Sequence, residues 1–115
     1  MARSKLTGAW GEATAAEYLR KKHYKLVAVG YRSRFGEIDL IAKKRHCVVF
    51  VEVKLRRNDR FSRACEAVTL AKQNRLRQTA LQWTAQYGEP KESRFDVIEI
   101  YTQTGEVCHI EGAFM

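Results

Sequence analysis

The sequence predicts an α/β fold with the element order α-β-β-β-α-β-β and a central sheet of about five strands. Three features predict it. Residues 6–22 are Ala-rich and proline-free, as a helix packed on a sheet would be. Two apolar runs, residues 36–42 and 47–54, flank a short basic break and read as a β-hairpin. Residues 69–87 read as a second helix, followed by the alternating segment 94–101, which has the pattern of a half-buried strand. With 115 residues, 45% of them hydrophobic and 30% charged, the chain is expected to form a single domain over 1–115.

The first helix carries Gly8, Ala9, Ala15, Ala16 and Leu19 on one side at helical spacing, and such small residues allow close approach to a sheet. Glu12 falls inside that stripe. A carboxylate there must be ion-paired, protonated or bound to a cation, and a salt bridge to a neighbouring base is as good a reading as a site. Arg20, Lys21 and Lys22 place positive charge at the helix end, as the macrodipole favours. Residues 25–32 read as the first strand and residues 33–36 as a turn.

The hairpin carries the unusual chemistry. Its strands are Gly36-Glu37-Ile38-Asp39-Leu40-Ile41-Ala42 and Cys47-Val48-Val49-Phe50-Val51-Glu52-Val53-Lys54. A loop centred between Arg45 and His46 sets Ile41 opposite Phe50, Asp39 opposite Glu52 and Glu37 opposite Lys54. The other face is then Ile38, Leu40 and Ala42 against Val49, Val51 and Val53, a wholly apolar core side; a slip of one residue would mix the faces. Like charges directly opposite are destabilising, so Asp39 and Glu52 require a shared proton, a nearby cation or a bound metal. Two carboxylates with further oxygen ligands suit Mg²⁺ or Mn²⁺, and Lys54 lies on the same face as Glu52.

The second helix has Thr69 as N-cap, the stripe Leu76, Ala80, Trp83 and Tyr87, and Gly88 at its end. Trp10, Trp83 and Tyr87 read as packing residues. Residues 103–105 form a turn, and residues 106–110 read as a short last strand at a sheet edge. His23, His46 and His109 share no metal-ligand spacing with Cys47, Cys65 and Cys108, so no zinc site is expected.

The net charge of +8 favours a polyanionic partner. It is concentrated: eight bases stand against two acids from Lys54 to Arg77, and two bases against six acids from Glu89 to Met115. Arg56, Arg57, Arg60 and Arg63 of the loop, with Lys72, Arg75 and Arg77 of the helix, are therefore candidates for contacting a nucleic-acid backbone. Phe61, in the same loop, would stack on nucleic acid or anchor the loop. No apolar run approaches the ~20 residues of a membrane span, and no apolar h-region follows the first residues. The three scattered cysteines suit a reducing compartment, so a cytoplasmic protein without a membrane partner is expected.

Asp39 with Glu52-Val53-Lys54 resembles the Asp…(Asp/Glu)-x-Lys signature of the restriction-endonuclease-like, PD-(D/E)xK, superfamily. The wider pattern runs from Gly11-Glu12-Ala13 through Gly36-Glu37-Ile38-Asp39-Leu40-Ile41 and Val51-Glu52-Val53-Lys54 to Lys72, Ala80 and Arg94-Phe95-Asp96-Val97. It is similar to the small, functionally uncharacterised bacterial YraN-like family, related to archaeal Holliday junction resolvases. Ile38 stands where the nominal superfamily motif has proline. The resemblance implies a restriction-endonuclease-like core with a mixed sheet. It also implies a metal-dependent endonuclease acting on structured or branched DNA. Asp39 and Glu52 correspond to its metal-binding acids, Lys54 to the motif lysine and Glu12 to the helix carboxylate. Lys72 corresponds to a basic residue on the following helix, and a homodimer is implied by analogy alone. Three functions compete: a Mg²⁺- or Mn²⁺-dependent endonuclease, a non-catalytic nucleic-acid-binding module that keeps the nuclease fold, and another carboxylate enzyme such as a glycosidase. The last is disfavoured by Lys54 and the basic surface. DNA is favoured over RNA as the partner.

Overall fold

The computed structural model of the chain describes residues 2–57 and 68–115. Its elements follow the predicted order: α1 (Ala2–Lys21), β1 (Lys25–Ser33), β2 (Gly36–Lys44), β3 (Cys47–Arg56), α2 (Leu70–Tyr87), β4 (Glu92–Tyr101) and β5 (Val107–Phe114). The five strands form one mixed sheet in chain order, β1-β2-β3-β4-β5, with β1 and β5 at its edges. Only β3 and β4 are parallel; the other neighbours are antiparallel. A parallel pair needs a crossover, and α2 lies within it. Thr69 caps α2 as expected, its hydroxyl accepting from the Lys72 N–H at 3.2 Å. At the other end Gly88 adopts φ 105° and donates its N–H to the Thr84 carbonyl at 2.8 Å. Among the described residues no helix is long and apolar enough to cross a membrane.

The sheet is covered on both faces. On one, Ala15, Ala16 and Leu19 of α1 pack on Leu40, Ala42, Val49, Val51, Ile98 and Ile100. Among the described side chains of α1 burial begins at Gly11, and the expected members Gly8 and Ala9 are exposed. At Gly11 the helix lies close on the sheet: an added Cβ would stand 2.8 Å from the Leu55 side chain. On the other face Leu76, Ala80 and Trp83 of α2 pack on Ile41, Val48, Phe50 and Val97. Thr79 is buried among them, its hydroxyl donating to the Arg75 carbonyl at 2.9 Å and lying 2.8 Å from the Ser33 hydroxyl. Tyr87 lies against Trp83 with ring centroids 5.4 Å apart but is 62% exposed, and Trp10 is 43% exposed. Of the three aromatics expected to pack, only Trp83 is buried.

The predicted hairpin register is the observed one, from Leu40↔Val51 to Lys44↔Cys47. One face assignment differs. Ile38 packs with Ile41, Phe50 and Leu76 under α2, and not beside Leu40 under α1. The two-residue alternation breaks between Ile38 and Leu40, where β2 stops pairing with β3.

On β4, beside Val51 of β3, Asp96 is fully buried. Asp96 accepts from Arg94 Nε at 2.8 Å, Arg94 Nη2 at 2.9 Å, His109 Nε2 at 2.6 Å and the Gly112 N–H at 3.0 Å. Arg94 also donates to the Tyr24 hydroxyl at 2.8 Å, and Tyr18 closes the network onto His109 Nδ1 at 3.2 Å. His109 is thus no stray residue but a tie between β5 and β4. Burial raises the Asp96 carboxyl, but the donors from His109, Arg94 and Gly112 outweigh it and hold the acid below the usual aspartate value. Removing the acid takes away the shared acceptor of the part-buried Arg94 guanidinium, the buried His109 ring and the Gly112 amide. Asp96→Ala is expected to lose about 3–5 kcal/mol in denaturant melts at neutral pH. Because the folded pKa is depressed, that difference narrows as pH falls below about 4.

Candidate metal centre

Strands β2 and β3 pair up to Leu40↔Val51 and then part, while β3 continues beside β4 to Arg56↔Tyr101. A strand amide freed in this way must find another acceptor. The Val53 N–H donates to Asp39 Oδ2 at 2.7 Å. The Asp39 side chain therefore occupies the fork between the strands, beside Glu52, whose carboxylate is close enough to shift its protonation. Glu52 is only 5% exposed.

Two groups of charge meet at Asp39. On one side Glu12 of α1 and Glu37 of β2 bring carboxylate oxygens that lie, with one from Asp39, within 4.8 Å of one another. Glu37 is held by Arg32 Nε at 2.8 Å. On the other side Lys72 of α2 and Lys54 of β3 bring ammonium groups to Glu52 Oε2, Lys54 at 3.7 Å and Lys72 in closer contact. That oxygen is buried and, among the described residues, receives no hydrogen bond of sound geometry from either ammonium.

The protonation states follow. Burial first, then the hydrogen bond and charge of Glu52, push Asp39 up to about 8, against the lowering effect of the Val53 N–H. Burial and the charge of Glu37 raise Glu12. Burial, then the neighbouring Lys72 ammonium, lower Lys54. Burial pulls Lys72 down, but its contact with Glu52 outweighs that and leaves it above the ordinary lysine value. Without a metal, a proton and two ammonium groups thus offset the opposed acids.

The donor set is entirely oxygen, as hard divalent cations prefer. A cation ~2.1–2.5 Å from each ligand spaces its oxygens roughly 3–5 Å apart, and the Glu12, Glu37 and Asp39 oxygens already have that spacing. These three residues fit Mg²⁺ or Mn²⁺; Glu52 stands beside Asp39 with its buried Oε2 against Lys72 and Lys54.

The fold brings together all four residues expected at the centre, Glu12, Asp39, Glu52 and Lys54. It also adds Glu37. The sequence pattern set Glu37 opposite Lys54 as a salt bridge, but the strands have parted there, and Glu37 pairs with Arg32 instead. The signal that could have found it is its spacing of two from Asp39 along an extended strand. Asp39 and Glu52 touch, although their backbones do not form a ladder pair. Of the candidate nucleic-acid contacts, Arg57 and Arg75 are exposed. Arg56 is tied to buried Glu99 at 2.9 Å. Arg77 is engaged by Asn74, Gln73 and the Met115 carbonyl. Lys72 is on Glu52. Arg60, Arg63, Phe61 and Cys65 lie outside the described residues.

Fold and site together define an α/β protein with a carboxylate-lined fork between two strands of a mixed sheet. The chain belongs to the uncharacterised protein family UPF0102, whose model matches residues 11–100. It is 42% identical over 112 residues to a UPF0102 protein of Syntrophomonas wolfei, covering 93% of this chain and 96% of that one. It is 48% identical over 98 residues to a UPF0102 protein of Symbiobacterium thermophilum, covering 84% and 83%. A relative in Nocardia farcinica is 40% identical over 111 residues, covering 93% and 87%. The expected membership in a small uncharacterised bacterial family is thereby established.

The raised Asp39 carboxyl gives a pH test. The folded protein holds a proton that the unfolded chain releases near pH 4, so stability falls as pH rises from about 4 to about 8 and is flat above. Asparagine can accept from Val53 and donate to Glu52 without charge. In a chelator, Asp39→Asn is expected to be more stable than the wild type by about 2 kcal/mol at pH 9, roughly 5–10 °C in Tm. The two should melt together near pH 4.

Proposed function

We propose that this protein is a Mg²⁺- or Mn²⁺-dependent endonuclease that hydrolyses phosphodiesters in structured or branched DNA in the cytoplasm. The observation that carries the reading is the convergence of Glu12, Glu37, Asp39 and Glu52 on one fork with Lys54 beside them. Asp39 with Glu12, Glu37 and Glu52 would hold the ion. When bound, such an ion polarises a phosphoryl oxygen and lowers the pKa of an attacking water. The chain's own residues supply the rest. The ammonium of Lys54, partly buried and 3.7 Å from Glu52, is available to orient water or to meet charge developing on phosphorus. Exposed Arg57 and Arg75 offer contacts to a phosphate backbone, as do Arg32 and Arg34 at the β1–β2 turn. The motif resemblance to restriction-endonuclease-like nucleases and to Holliday junction resolvases points the same way.

A second reading, a nucleic-acid-binding module without catalysis, is favoured by one feature: Glu52 is already neutralised by two lysines. A cleavage panel separates the two. Linear, flapped, single-stranded and four-way-junction DNA are incubated with metal and wild type, Asp39→Ala, Glu52→Ala or Glu37→Gln, with a single-stranded RNA arm. The wild type is expected to cut branched DNA, both alanine variants to fall by roughly 100-fold or more, and Glu37→Gln by about tenfold. Cleavage that persists in both alanine variants overturns the catalytic assignment. Tight binding without cleavage of any substrate leaves the binding module.

A further inference from the structure

Lys72 reaches across from α2 to a carboxylate that belongs to β3, and this contact is built into the fold. Glu52 is 5% exposed, and its Oε2 lies against both Lys72 Nζ and Lys54 Nζ. Lys72 sits in the first turn of α2, where its backbone N–H is fixed by the Thr69 cap. Its side chain is about one-third exposed, so the ammonium has a path from the fork to solvent. The Lys54 side chain is less exposed, at 23%, and lies farther from Glu52 Oε2.

A cation coordinated by Asp39 and Glu52 and the Lys72 ammonium cannot share Glu52 Oε2 without strong repulsion. Resting on the metal-dependent reading above, we propose that Lys72 is an internal counter-cation which a divalent ion must displace from Glu52, and that the displaced ammonium is taken up by a phosphate of the bound nucleic acid. Metal and nucleic acid then each favour the other's binding through Lys72. Coupling of this kind is reciprocal, so the factor by which nucleic acid tightens metal equals that by which metal tightens nucleic acid. Lys72 is in these terms a positioning residue: it keeps the acidic pair neutralised until both ligands arrive.

The test measures binding and needs no turnover. Ca²⁺, a hard cation read here for binding alone, is titrated calorimetrically into wild type, Lys72→Met, Glu52→Gln and the double variant, each with and without a flapped DNA duplex. Lys72→Met is expected to bind Ca²⁺ about tenfold more tightly than wild type in the absence of DNA. A general loss of positive charge would also tighten metal, and the double variant separates the two causes. If Lys72 competes for Glu52, the gain from Lys72→Met vanishes in the Glu52→Gln background. In wild type, DNA is expected to tighten Ca²⁺ by about tenfold, and in Lys72→Met this coupling is lost. Lys72→Gln replaces the methionine variant should the latter not give a cooperative melt.

Unchanged or weaker metal binding in Lys72→Met overturns the proposal. So does an equal gain in the Glu52→Gln background, or coupling that survives without Lys72. The nuclease reading fails separately, on the cleavage panel: tightened Ca²⁺ binding in Lys72→Met without cleavage of any DNA keeps the counter-cation and removes the nuclease. Cleavage with no Lys72 effect on metal does the reverse.

Discussion

The hydrogen bond from the Val53 N–H to the Asp39 carboxylate fixes everything else at the site. β2 leaves β3 after Leu40↔Val51, and every second residue beyond that point turns an amide and a carbonyl toward the missing ladder partner. A side chain that accepts in place of a backbone carbonyl lets the strands part without orphaning the amide. The cost is that the accepting carboxylate is drawn into a poorly solvated position beside Glu52. The two acids are then close enough that one must hold a proton or share a cation. The fork and the electrostatic tension at its centre have the same cause.

Two acids set into the sheet, Asp39 on β2 and Asp96 on β4, show why one reads as a site and the other as scaffold. Asp96 is more deeply buried than Asp39, yet its pKa is lowered, because a guanidinium, an imidazole and an amide donate to it. Asp39 receives one amide and faces another carboxylate, and its pKa is raised. Burial alone does not distinguish them; the number and charge of the donors do. A fully satisfied acid ties β4 and β5 together. An under-satisfied one leaves binding capacity for an added cation.

The lysines at the fork are not equivalent to surface ion pairs. Arg32 and Glu37 meet in solvent, where such a pair contributes little. Lys72 and Lys54 meet Glu52 where water is largely excluded, so removing either partner leaves an unbalanced charge in a poor solvent. α2 consequently has two duties. Its Leu76, Ala80 and Trp83 face seals one side of the sheet, and its first turn delivers a cation to the far strand. The packing of the helix sets the position of the charge.

Much of this architecture was legible in the residues themselves. The element order followed from periodicity, and the hairpin register from the apolar residues that must face a core, since a one-residue slip turns valines outward. The opposition of Asp39 and Glu52 followed from that register, as did the presence of Lys54. Local pattern could not reveal where the ladder ends, because strand parting depends on β3 having a second partner in β4. That parting moved Glu37 from an expected bridge with Lys54 to the Glu12–Asp39 cluster, and turned Ile38 to the opposite core. Nor could it show that Arg56 is spoken for by Glu99, that His109 locks Asp96, or that Lys72 reaches Glu52. Those contacts join residues far apart in the chain, and only the packing of α2 and β4 onto one sheet brings them together. The sequence by itself determined which residues carry charge into the sheet; the tertiary structure decided which of those charges are balanced.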